Sequence, residues 1–501
     1  MQTASSVQPS APSYSRDDWQ RGYRSLKDEY SYWIDEVEGE IPPNLSGTLF
    51  RNGPAMLDIH GQRIHHPFDG DGMISAIAIR DGRAHYHNRY VRTEGFVAEQ
   101  SAQKILYRGV FGTQKPGGWL ANAFDFRLKN IANTNVVYWG DKLLALWEAA
   151  EPHRLDPRTL ETLGLDDVGG AVPEGKAYSA HPWIDPACEW NEGKSHLVNF
   201  SISPGLSTTI TIFEHDADGN LVRTHAHSVP GFAFIHDFAI TPNYCIFFQA
   251  PLSFNPIPMA LGLRGPGQCI SYQAKEPSHI IVIPRNGKDP VKRIPAEVGF
   301  VFHHGNAWET DEGELEVCSI CYEEFPNVEP DADFLEVDFN AYPPGQLWRF
   351  RVNLDTETVE GQRVDGRSCE FPQVHPDWVG RRSRFLYLGA AHEPTGNAPL
   401  QGVWKVDLET GDRQLWSAAP RGFISEPSFV PFPESTAEDE GWLLVMVFNA
   451  ERDCSELVIL DARDLGQGAI ARLKLKHHIP YGLHGNFTSE YFLPPAAHAA
   501  S

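Results

Sequence analysis

The sequence predicts an all-β protein, specifically a seven-bladed β-propeller, and two observations support this fold class. Apolar or alternating runs of four to eight residues are separated by Gly, Asn, Asp and Pro along most of the chain, which is typical of many short strands. A weak repeat then returns at intervals of roughly 50 to 75 residues. Such a repeat indicates one structural unit used many times around a ring.

Each copy of the repeat contains an apolar strand, an Asp or Arg near its end, a tight polar turn and a second strand. The turns lie near Asp81, Asp156, Asp216, Asn286, Asp355, Asp407 and Asp461. Seven copies favour seven blades, each with an outer hairpin. The alternative is that Asp-rich turns simply recur, as they do in any β protein.

The composition limits the function. The chain has 501 residues and a formal net charge of -24, and we find no cluster of Lys and Arg that could bind a nucleic-acid backbone. Seven cysteines, an odd number, favour reduced thiols over a disulfide framework. Cys318 and Cys321 form a lone CxxC pair inside a strand-like run, which favours buried thiols over a zinc or redox site.

We expect one catalytic domain between two tails. Residues 1–18 are predicted to form a disordered polar tail, residues 19–490 the propeller with its insertions, and residues 491–501 a C-terminal tail. Helical periodicity is confined to short stretches around 105–111 and 121–131. The first residues lack the apolar and basic segments of a secretory signal and no window is long enough to span a bilayer, so we expect a cytoplasmic protein.

Four histidines share one setting, the end of an apolar strand followed by a break. His303 lies in FVFHHGNAWE, where we expect the strand to deliver an imidazole and then turn, and His181, His236 and His484 lie in similar segments. Innermost propeller strands line a central channel, so histidines 55, 67 and 181 residues apart can meet there. Because imidazole is a common neutral metal ligand, we predict one metal site built by the whole fold.

Three acidic residues accompany the histidines. Glu148, Glu370 and Glu426 lie at comparable strand ends within apolar or aromatic sequence, where an unpaired carboxylate would be costly. A site of neutral imidazoles needs carboxylates behind the rings to orient them and offset the charge of the ion. Exposed glutamates at strand ends are the alternative for each one taken alone.

The chain resembles the carotenoid cleavage oxygenases. The resemblance rests on RNGP at 51–54, HPFDGDGM at 66–73 and NTN at 133–135, together with the His and Glu segments, and it extends from about Tyr23 to Gly485. It implies a helix and loop dome over one axial Fe(2+) held by His181, His236, His303 and His484. It also implies that Glu148, Glu370 and Glu426 accept hydrogen bonds from the rings, and that the Thr134 methyl group limits access to a vacant iron position. The choice of His303 over His304 rests on strand phase and on this resemblance.

The resemblance implies an iron-dependent dioxygenase that uses O2 to split the central 15,15' double bond of an apocarotenoid into retinal-type aldehydes. Cleavage of a stilbene-like phenolic alkene, isomerisation of a retinoid ester, and a metal-free propeller that serves as a binding platform are the alternatives. Aromatic residues beside the motifs are candidates for the lining of a substrate tunnel: Phe68, Trp147, Phe234, Phe302, Tyr322 and Phe371.

A hydrophobic substrate has to come from a membrane. Two apolar segments without strand periodicity predict a shallow, monotopic membrane patch, with extra core beneath the dome as the alternative. The candidate patch residues are Ile105, Leu106, Phe111, Trp119, Leu120, Phe124, Leu252, Phe254, Ile257, Met259 and Leu263. We expect a peripheral protein that is a monomer.

Overall fold

The computed structural model describes residues 13–205, 207–326 and 332–495. Across these residues, the main strands form seven antiparallel sheets that follow one another around an axis. The predicted all-β, seven-bladed propeller is confirmed.

The strands of each blade are named from the innermost outward. Blade 1 comprises Gly485–Thr488, Gly47–Met56, Asp71–Arg80, Arg83–Tyr90 and Ser31–Trp33. Blade 2 comprises Asn135–Trp139, Lys142–Leu146, His153–Leu155 and Thr162–Leu165. Blade 3 comprises Trp183–Cys188, Lys194–Ser203, Ser207–His215 and Leu221–Pro230. Blades 4 and 5 comprise Ala239–Ile240, Tyr244–Gln249, Ser278–Pro284 and Lys292–Ala296; and Phe300–Glu309, Leu315–Tyr322, Gln346–Asn353 and Thr358–Arg363.

Blade 6 comprises Cys369–Gln373, Phe385–Ala390, Gly402–Asp407 and Arg413–Ser417. In blade 7 the innermost strand is broken in two, and the blade comprises Gly422–Ile424 with Ser428–Pro431, then Gly441–Asn449, Cys454–Asp461, Ala469–Lys474 and Glu36–Gly39. Two short ribbons lie outside the blades: Asp58–Ile59 with Gln62–Arg63, and Leu252–Phe254 with Ile270–Tyr272.

The two ends of the chain close the ring. Gly485–Thr488 pairs with Gly47–Met56 and supplies the innermost strand of blade 1, while Glu36–Gly39 pairs with Ala469–Lys474 at the outer edge of blade 7. Each terminal blade therefore contains strands from both ends of the sequence, and this pairing holds the ring of blades closed.

The seven predicted turns all join the third strand of a blade to the fourth, as the Asp81 turn does between Asp71–Arg80 and Arg83–Tyr90. Because the strands of a blade alternate in direction, these hairpins lie at the end of the propeller opposite to the point where each innermost strand begins. The predicted outer hairpins are thus present in every blade.

Adjacent blades cover both faces of one another, which explains the continuous apolar runs in the sequence. In Gly441–Asn449, every residue except Asn449 is buried. Side chains from both faces of such a strand pack against neighbouring blades, so the strand lacks the polar alternation of a half-exposed sheet.

The connections at the end where the innermost strands begin form the dome. They include residues 57–70, 91–134, 250–277 and 323–345, of which 327–331 lie outside the described residues. Two of these connections carry helices, α2 (Glu94–Ala102) and α3 (Gly118–Asn122) in one and α4 (Pro256–Ala260) in another.

Some local expectations were wrong. Residues 105–111 form no helix, and within 121–131 only the last two residues of α3 are helical. A further helix, α1 (Arg16–Gln20), begins inside the stretch predicted to be a disordered tail, and Phe492, placed in the C-terminal tail, is buried against Phe50. Residues 1–12 and 496–501 of the two tails lie outside the described residues.

Candidate metal centre

The four selected histidines lie at the same end of four blades. His181, His236 and His484 come just before the innermost strands of blades 3, 4 and 1, and His303 lies near the start of the innermost strand of blade 5. All four positions face the channel, because the innermost strands of a propeller converge on its axis.

The four imidazoles meet at one point. One ring nitrogen from each lies within 4.8 Å of the other three. The Nε2 atoms of His181 and His236 are 2.8 Å apart, and those of His303 and His484 are 3.2 Å apart. All four rings are buried or nearly so. Nitrogen atoms at this spacing surround a volume that fits one divalent ion with Fe–N or Zn–N bonds of about 2.1 Å.

Three glutamates lie directly behind three of the rings. The Nδ1 atom of His236 pairs with Glu148, that of His303 lies 2.5 Å from Glu370, and that of His484 lies 2.8 Å from Glu426. A carboxylate on Nδ1 fixes the ring so that Nε2 faces the ion, and it increases the basicity of that nitrogen.

Each glutamate has a different environment. Glu148 is 24% exposed at its side chain, whereas Glu370 is almost enclosed and also accepts hydrogen bonds from the Tyr322 hydroxyl at 2.9 Å and from the Phe371 backbone N–H at 2.7 Å. Three of the groups around Glu370 can therefore donate to it, and one of these, the hydroxyl, can also accept.

Glu426 is part of a buried ion pair. The Arg51 guanidinium donates to it at 2.5 Å, and the side chains of the two residues are 6% and 7% exposed. Glu426 also accepts from the Gln373 amide at 3.2 Å and from the Gly485 backbone N–H at 3.2 Å. Arg51 also donates to the carbonyl of Leu483, the residue before His484. The arginine thus holds both the carboxylate and the segment that carries the ring.

Burial sets the protonation of two of the rings. It holds the pKa of His181 well below the usual range, with the neighbouring imidazoles adding to the effect, and it lowers the pKa of His484 to about 4 against the opposing influence of Glu426. Burial also lowers the pKa of His303, but the Glu370 carboxylate, with smaller contributions from Asp237 and Glu426, outweighs it, so the pKa of His303 is raised. Because only neutral imidazole binds a metal, protons compete with the ion more strongly at His303 than at His181 or His484.

His304 points away from the channel. Its Nδ1 atom lies 2.8 Å from the Ser319 hydroxyl, and burial lowers its pKa to about 3. The expectation that the strand turns after these histidines was wrong, because Phe300–Glu309 continues as a strand with irregular register at Val301 to Asn306. The irregularity brings both Phe302 and His303 towards the centre, which strict alternation would forbid.

A second irregular strand lies in blade 6, next to the irregular part of Phe300–Glu309. The register shifts between Glu370 and Gln373, and Phe371 has a φ of 55°, in the left-handed region that bulky side chains rarely occupy. The Phe371 ring lies 5.6 Å from that of His303 and 5.3 Å from that of His484, centre to centre. Backbone strain of this kind is typical of functional sites.

Comparisons with known proteins identify the family of this chain. The family model described as RPE65, retinal pigment epithelial membrane protein, matches residues 23–489. The chain belongs to this family. The apocarotenoid-15,15'-oxygenase of Synechocystis is 54% identical over 480 residues, covering 96% of this chain and 98% of that protein. The resveratrol cleavage oxygenase 1 of Aspergillus fumigatus is 32% identical, with 90% of this chain and 91% of that protein covered.

A solved structure of the family has the same fold. The crystal structure of cobalt-substituted Synechocystis ACO matches with a TM-score of 0.94 at 54% identity, covering 95% of this chain and 100% of that one. The resemblance to carotenoid cleavage oxygenases is confirmed.

The aromatic candidates lie at different distances from the metal centre. Phe302 lies 5.7 Å from the His236 ring and 5.6 Å from the Tyr322 ring, centre to centre, so with Phe371 these side chains border the metal centre. Phe234 packs one layer further out, against Phe300.

The other two candidates lie outside this group. Phe68 packs on Phe111 and is 36% exposed, and Trp147 lines a cavity that also includes Lys129 and Glu99. Thr134 is buried just before the innermost strand of blade 2, and its carbonyl accepts from the His484 backbone N–H at 3.2 Å.

The predicted membrane patch is partly exposed. Ile105 and Leu252 are buried in the dome, which corrects that expectation for them, and Leu106, Phe111, Phe254 and Met259 are half-buried. The exposed members are Trp119 at 54%, Leu120 at 72%, Phe124 at 73%, Ile257 at 65% and Leu263 at 56%. Sequence reasoning missed their exposed apolar neighbours Phe126, Leu128 and Leu261.

One buried arginine joins the two halves of this patch. Arg108 donates to the carbonyls of Asn122, Met259 and Arg264, and the Phe124 N–H donates to the Ala260 carbonyl at 2.8 Å. The exposed apolar side chains of both segments therefore lie on one surface. Among the described residues, no helix combines the length and apolar character needed to cross a bilayer.

A second group of ligand-type residues does not have the character of a cation site. Cys188, His196 and Glu214 lie close together and buried in blade 3. The Arg285 guanidinium donates to both Glu214 oxygens, at 3.2 and 2.9 Å, and contacts the Cys188 sulfur at 3.8 Å. A fixed positive charge already compensates this carboxylate, so a cation would be repelled.

Proposed function

We propose that this chain is a non-haem Fe(II) dioxygenase that cleaves the central double bond of an apocarotenoid with O2 to give retinal-type aldehydes. The observation that carries the proposal is the set of four converging imidazoles, three of which are backed by glutamates. The 54% identity to an apocarotenoid-15,15'-oxygenase supports the choice of substrate class and bond.

The donor set favours a redox-active divalent ion. We assign His181, His236, His303 and His484 as the ligands of one Fe(2+) and Glu148, Glu370 and Glu426 as the acceptors behind the rings. Four neutral nitrogen donors leave positions open, unlike a closed structural zinc site with thiolates. When bound, ferrous iron supplies a site at which O2 reacts with the neighbouring alkene. One oxygen goes to each carbon as the C=C bond breaks, so no reductant is required.

The side chains around the centre orient the alkene. Phe302, Tyr322 and Phe371 border the metal centre, and their rings would hold a flat polyene beside it and stabilise electron-poor carbon. Phe68, Trp147 and Phe234 extend this lining in our proposal. We assign to Thr134 the role of limiting access at the remaining iron position.

Metal loading followed by product analysis tests the reaction. Protein purified without added metal is loaded anaerobically with Fe(II), and O2 uptake is measured with an apocarotenal. Equal uptake of O2 and loss of substrate, with two aldehyde products, is the expected result. Geometric isomerisation without O2 uptake would instead favour an isomerase, and cleavage of resveratrol alone would favour a stilbene-type enzyme.

Adjacent histidines supply a matched pair of variants. His303→Ala removes one proposed ligand and is expected to lose iron and activity together. His304→Asn changes the next residue, whose ring faces Ser319, and is expected to keep the iron content of the wild type. Equal iron content in both variants would refute the ligand assignment.

We also propose that the exposed apolar surface of the dome attaches the protein to a membrane. Two segments of the dome, held together by the hydrogen bonds of Arg108, carry exposed apolar side chains. These are Trp119, Leu120 and Phe124 on one segment and Ile257 and Leu263 on the other. A continuous apolar surface of this kind is typical of monotopic attachment.

Liposome flotation tests the attachment. The triple variant Trp119→Ser, Leu120→Ser, Phe124→Ser is expected to leave the lipid fraction. The control variant Leu163→Ser, Leu165→Ser removes two apolar side chains that are 58% and 60% exposed on the outer strand of blade 2, and it is expected to float like the wild type. Loss of flotation in both, or in neither, contradicts the assignment.

A further inference from the structure

Asp237 is a buried carboxylate that belongs to none of the roles assigned above. It follows His236 directly, is 4% exposed, and does not touch any of the four rings through a hydrogen bond. Among the described residues, no Lys or Arg forms an ion pair with it. A buried carboxylate without a cation is expensive unless N–H donors satisfy it.

The donors that satisfy Asp237 come from three ligand-bearing segments. Its Oδ1 atom accepts from the backbone N–H of Phe238 at 2.8 Å and from the indole Nε1–H of Trp183 at 3.2 Å. Its Oδ2 atom accepts from the backbone N–H of His304 at 2.8 Å. Trp183 is two residues after His181, and His304 follows His303. One carboxylate therefore joins the segments of three histidines.

Regular strand pairing alone does not align these three segments. His181 and His236 lie in connections before short strands, and His303 lies where the register of its strand is irregular. Trp183 also donates to the Phe238 carbonyl, at 2.5 Å. These ties fix the separation of blades 3, 4 and 5 at the level of the rings.

From these contacts we propose that Asp237 is a positioning residue that sets the mutual geometry of His181, His236 and His303 for metal binding. The inference rests on the proposed metal centre. Partners one step removed from the ion that hold ligands in place typically change metal affinity by about 10- to 100-fold when they are replaced.

Asp237→Asn is the direct test, because the amide has the same shape but only one acceptor oxygen. If the amide oxygen faces Trp183 and Phe238, the amide NH2 group faces the His304 N–H. In the other orientation, the NH2 group faces the N–H groups of Trp183 and Phe238. Neither Trp183, Phe238 nor His304 offers an acceptor at these positions, so at least one tie is lost.

Trp183→Phe separates geometry from charge. It removes the indole N–H, and with it the bonds to Asp237 and to the Phe238 carbonyl, but leaves the Asp237 carboxylate in place. Asp69→Asn is the matched control, since Asp69 is also buried and accepts from two backbone N–H groups, those of Phe111 at 2.9 Å and Thr113 at 3.1 Å, away from the histidines.

The readouts are Co(2+) affinity and the visible absorption spectrum of the Co(2+) complex, measured on the full chain after metal removal. We expect Asp237→Asn to bind Co(2+) about 10- to 100-fold more weakly and Trp183→Phe about tenfold more weakly, both with altered spectra. Asp69→Asn is expected to bind like the wild type, with the same spectrum, even if its melting temperature falls.

Each outcome decides one question. Wild-type affinity and spectrum in Asp237→Asn would overturn the inference while leaving the metal centre intact. Absence of Co(2+) binding to the wild type would overturn the proposed function itself. If circular dichroism shows that Asp237→Asn is unfolded, wild-type affinity and spectrum in Trp183→Phe would overturn the inference.

Discussion

Replacing the three glutamates by glutamine should have unequal effects on stability, in an order set by their other partners. In Glu370→Gln, the amide oxygen can keep the bonds from His303 and Phe371, while the amide nitrogen donates to the Tyr322 hydroxyl, which turns to accept. All contacts survive and only the charge is lost. A charge-assisted bond then becomes a neutral one, a loss of about 1 kcal/mol.

Glu426→Gln is harder to accommodate. Oε2 accepts from Arg51 and the Gly485 N–H, which can only donate, so the amide oxygen has to stay on that side. The amide nitrogen then faces His484 and Gln373, which keep a bond only if the imidazole changes tautomer or the Gln373 amide turns over. Arg51 also loses its counter-charge at a buried site, where breaking a pair costs about 3–5 kcal/mol. Glu148→Gln, with one ring partner and a partly exposed side chain, should cost no more than Glu370→Gln.

Thermal unfolding of the metal-free proteins measures this order. With an unfolding entropy of about 2.1 cal/mol/K per residue and about 480 residues, 1 kcal/mol shifts the melting temperature by about 1 °C. We expect shifts of about 4 °C for Glu426→Gln and about 1 °C for the other two variants. The double variant Arg51→Met, Glu426→Gln should regain part of the loss because no buried charge is left unpaired. Equal shifts in all three single variants would refute the reasoning.

Three further predictions concern other parts of the site. Burial lowers the pKa of His66 to about 3, so its contribution to stability is complete above pH 6.5 and is lost as the pH falls towards 3. His66→Asn, which can still accept from the Phe68 N–H, should reduce the change in the free energy of unfolding between pH 6.5 and 5 by about 2 kcal/mol, measured by urea unfolding at both pH values. Gly485→Ala would place a Cβ atom 2.1 Å from the Phe50 carbonyl oxygen and should destabilise ring closure by about 1–3 kcal/mol in urea unfolding, whereas Gly482→Ala, whose Cβ atom would lie 3.3 Å from the Asn52 carbonyl oxygen, should cost less. Chelation should abolish activity and lower the melting temperature, and Fe(II) should restore both; retained activity in the chelated protein would contradict the metal assignment.

The repeat and the histidine settings could be recognised from sequence because both depend on local patterns. The turn at Asp81 and its six equivalents are short-range features, and each fixes one hairpin. The pairing of Glu148 with His236, Glu370 with His303 and Glu426 with His484 joins residues 58 to 88 positions apart, and only the closed ring determines it.

Other features could not be predicted because they depend on which way a side chain faces. Ile105 and Phe126 are equally apolar in sequence, yet the dome buries the first and exposes the second. Arg51 lay within a recognised motif, but its pairing with Glu426 spans the junction between the first and last blades. Irregular register at Phe302 has no signal in composition, since alternation predicts the opposite face.

The strand that shuts the propeller also follows a proposed ligand without a gap, since His484 immediately precedes Gly485–Thr488. A bound ion would therefore link Gly485–Thr488, through His484, to blades 3 to 5. Thermodynamic linkage requires that whatever loosens this seam also weakens metal binding, and that metal depletion destabilises the seam at the first blade.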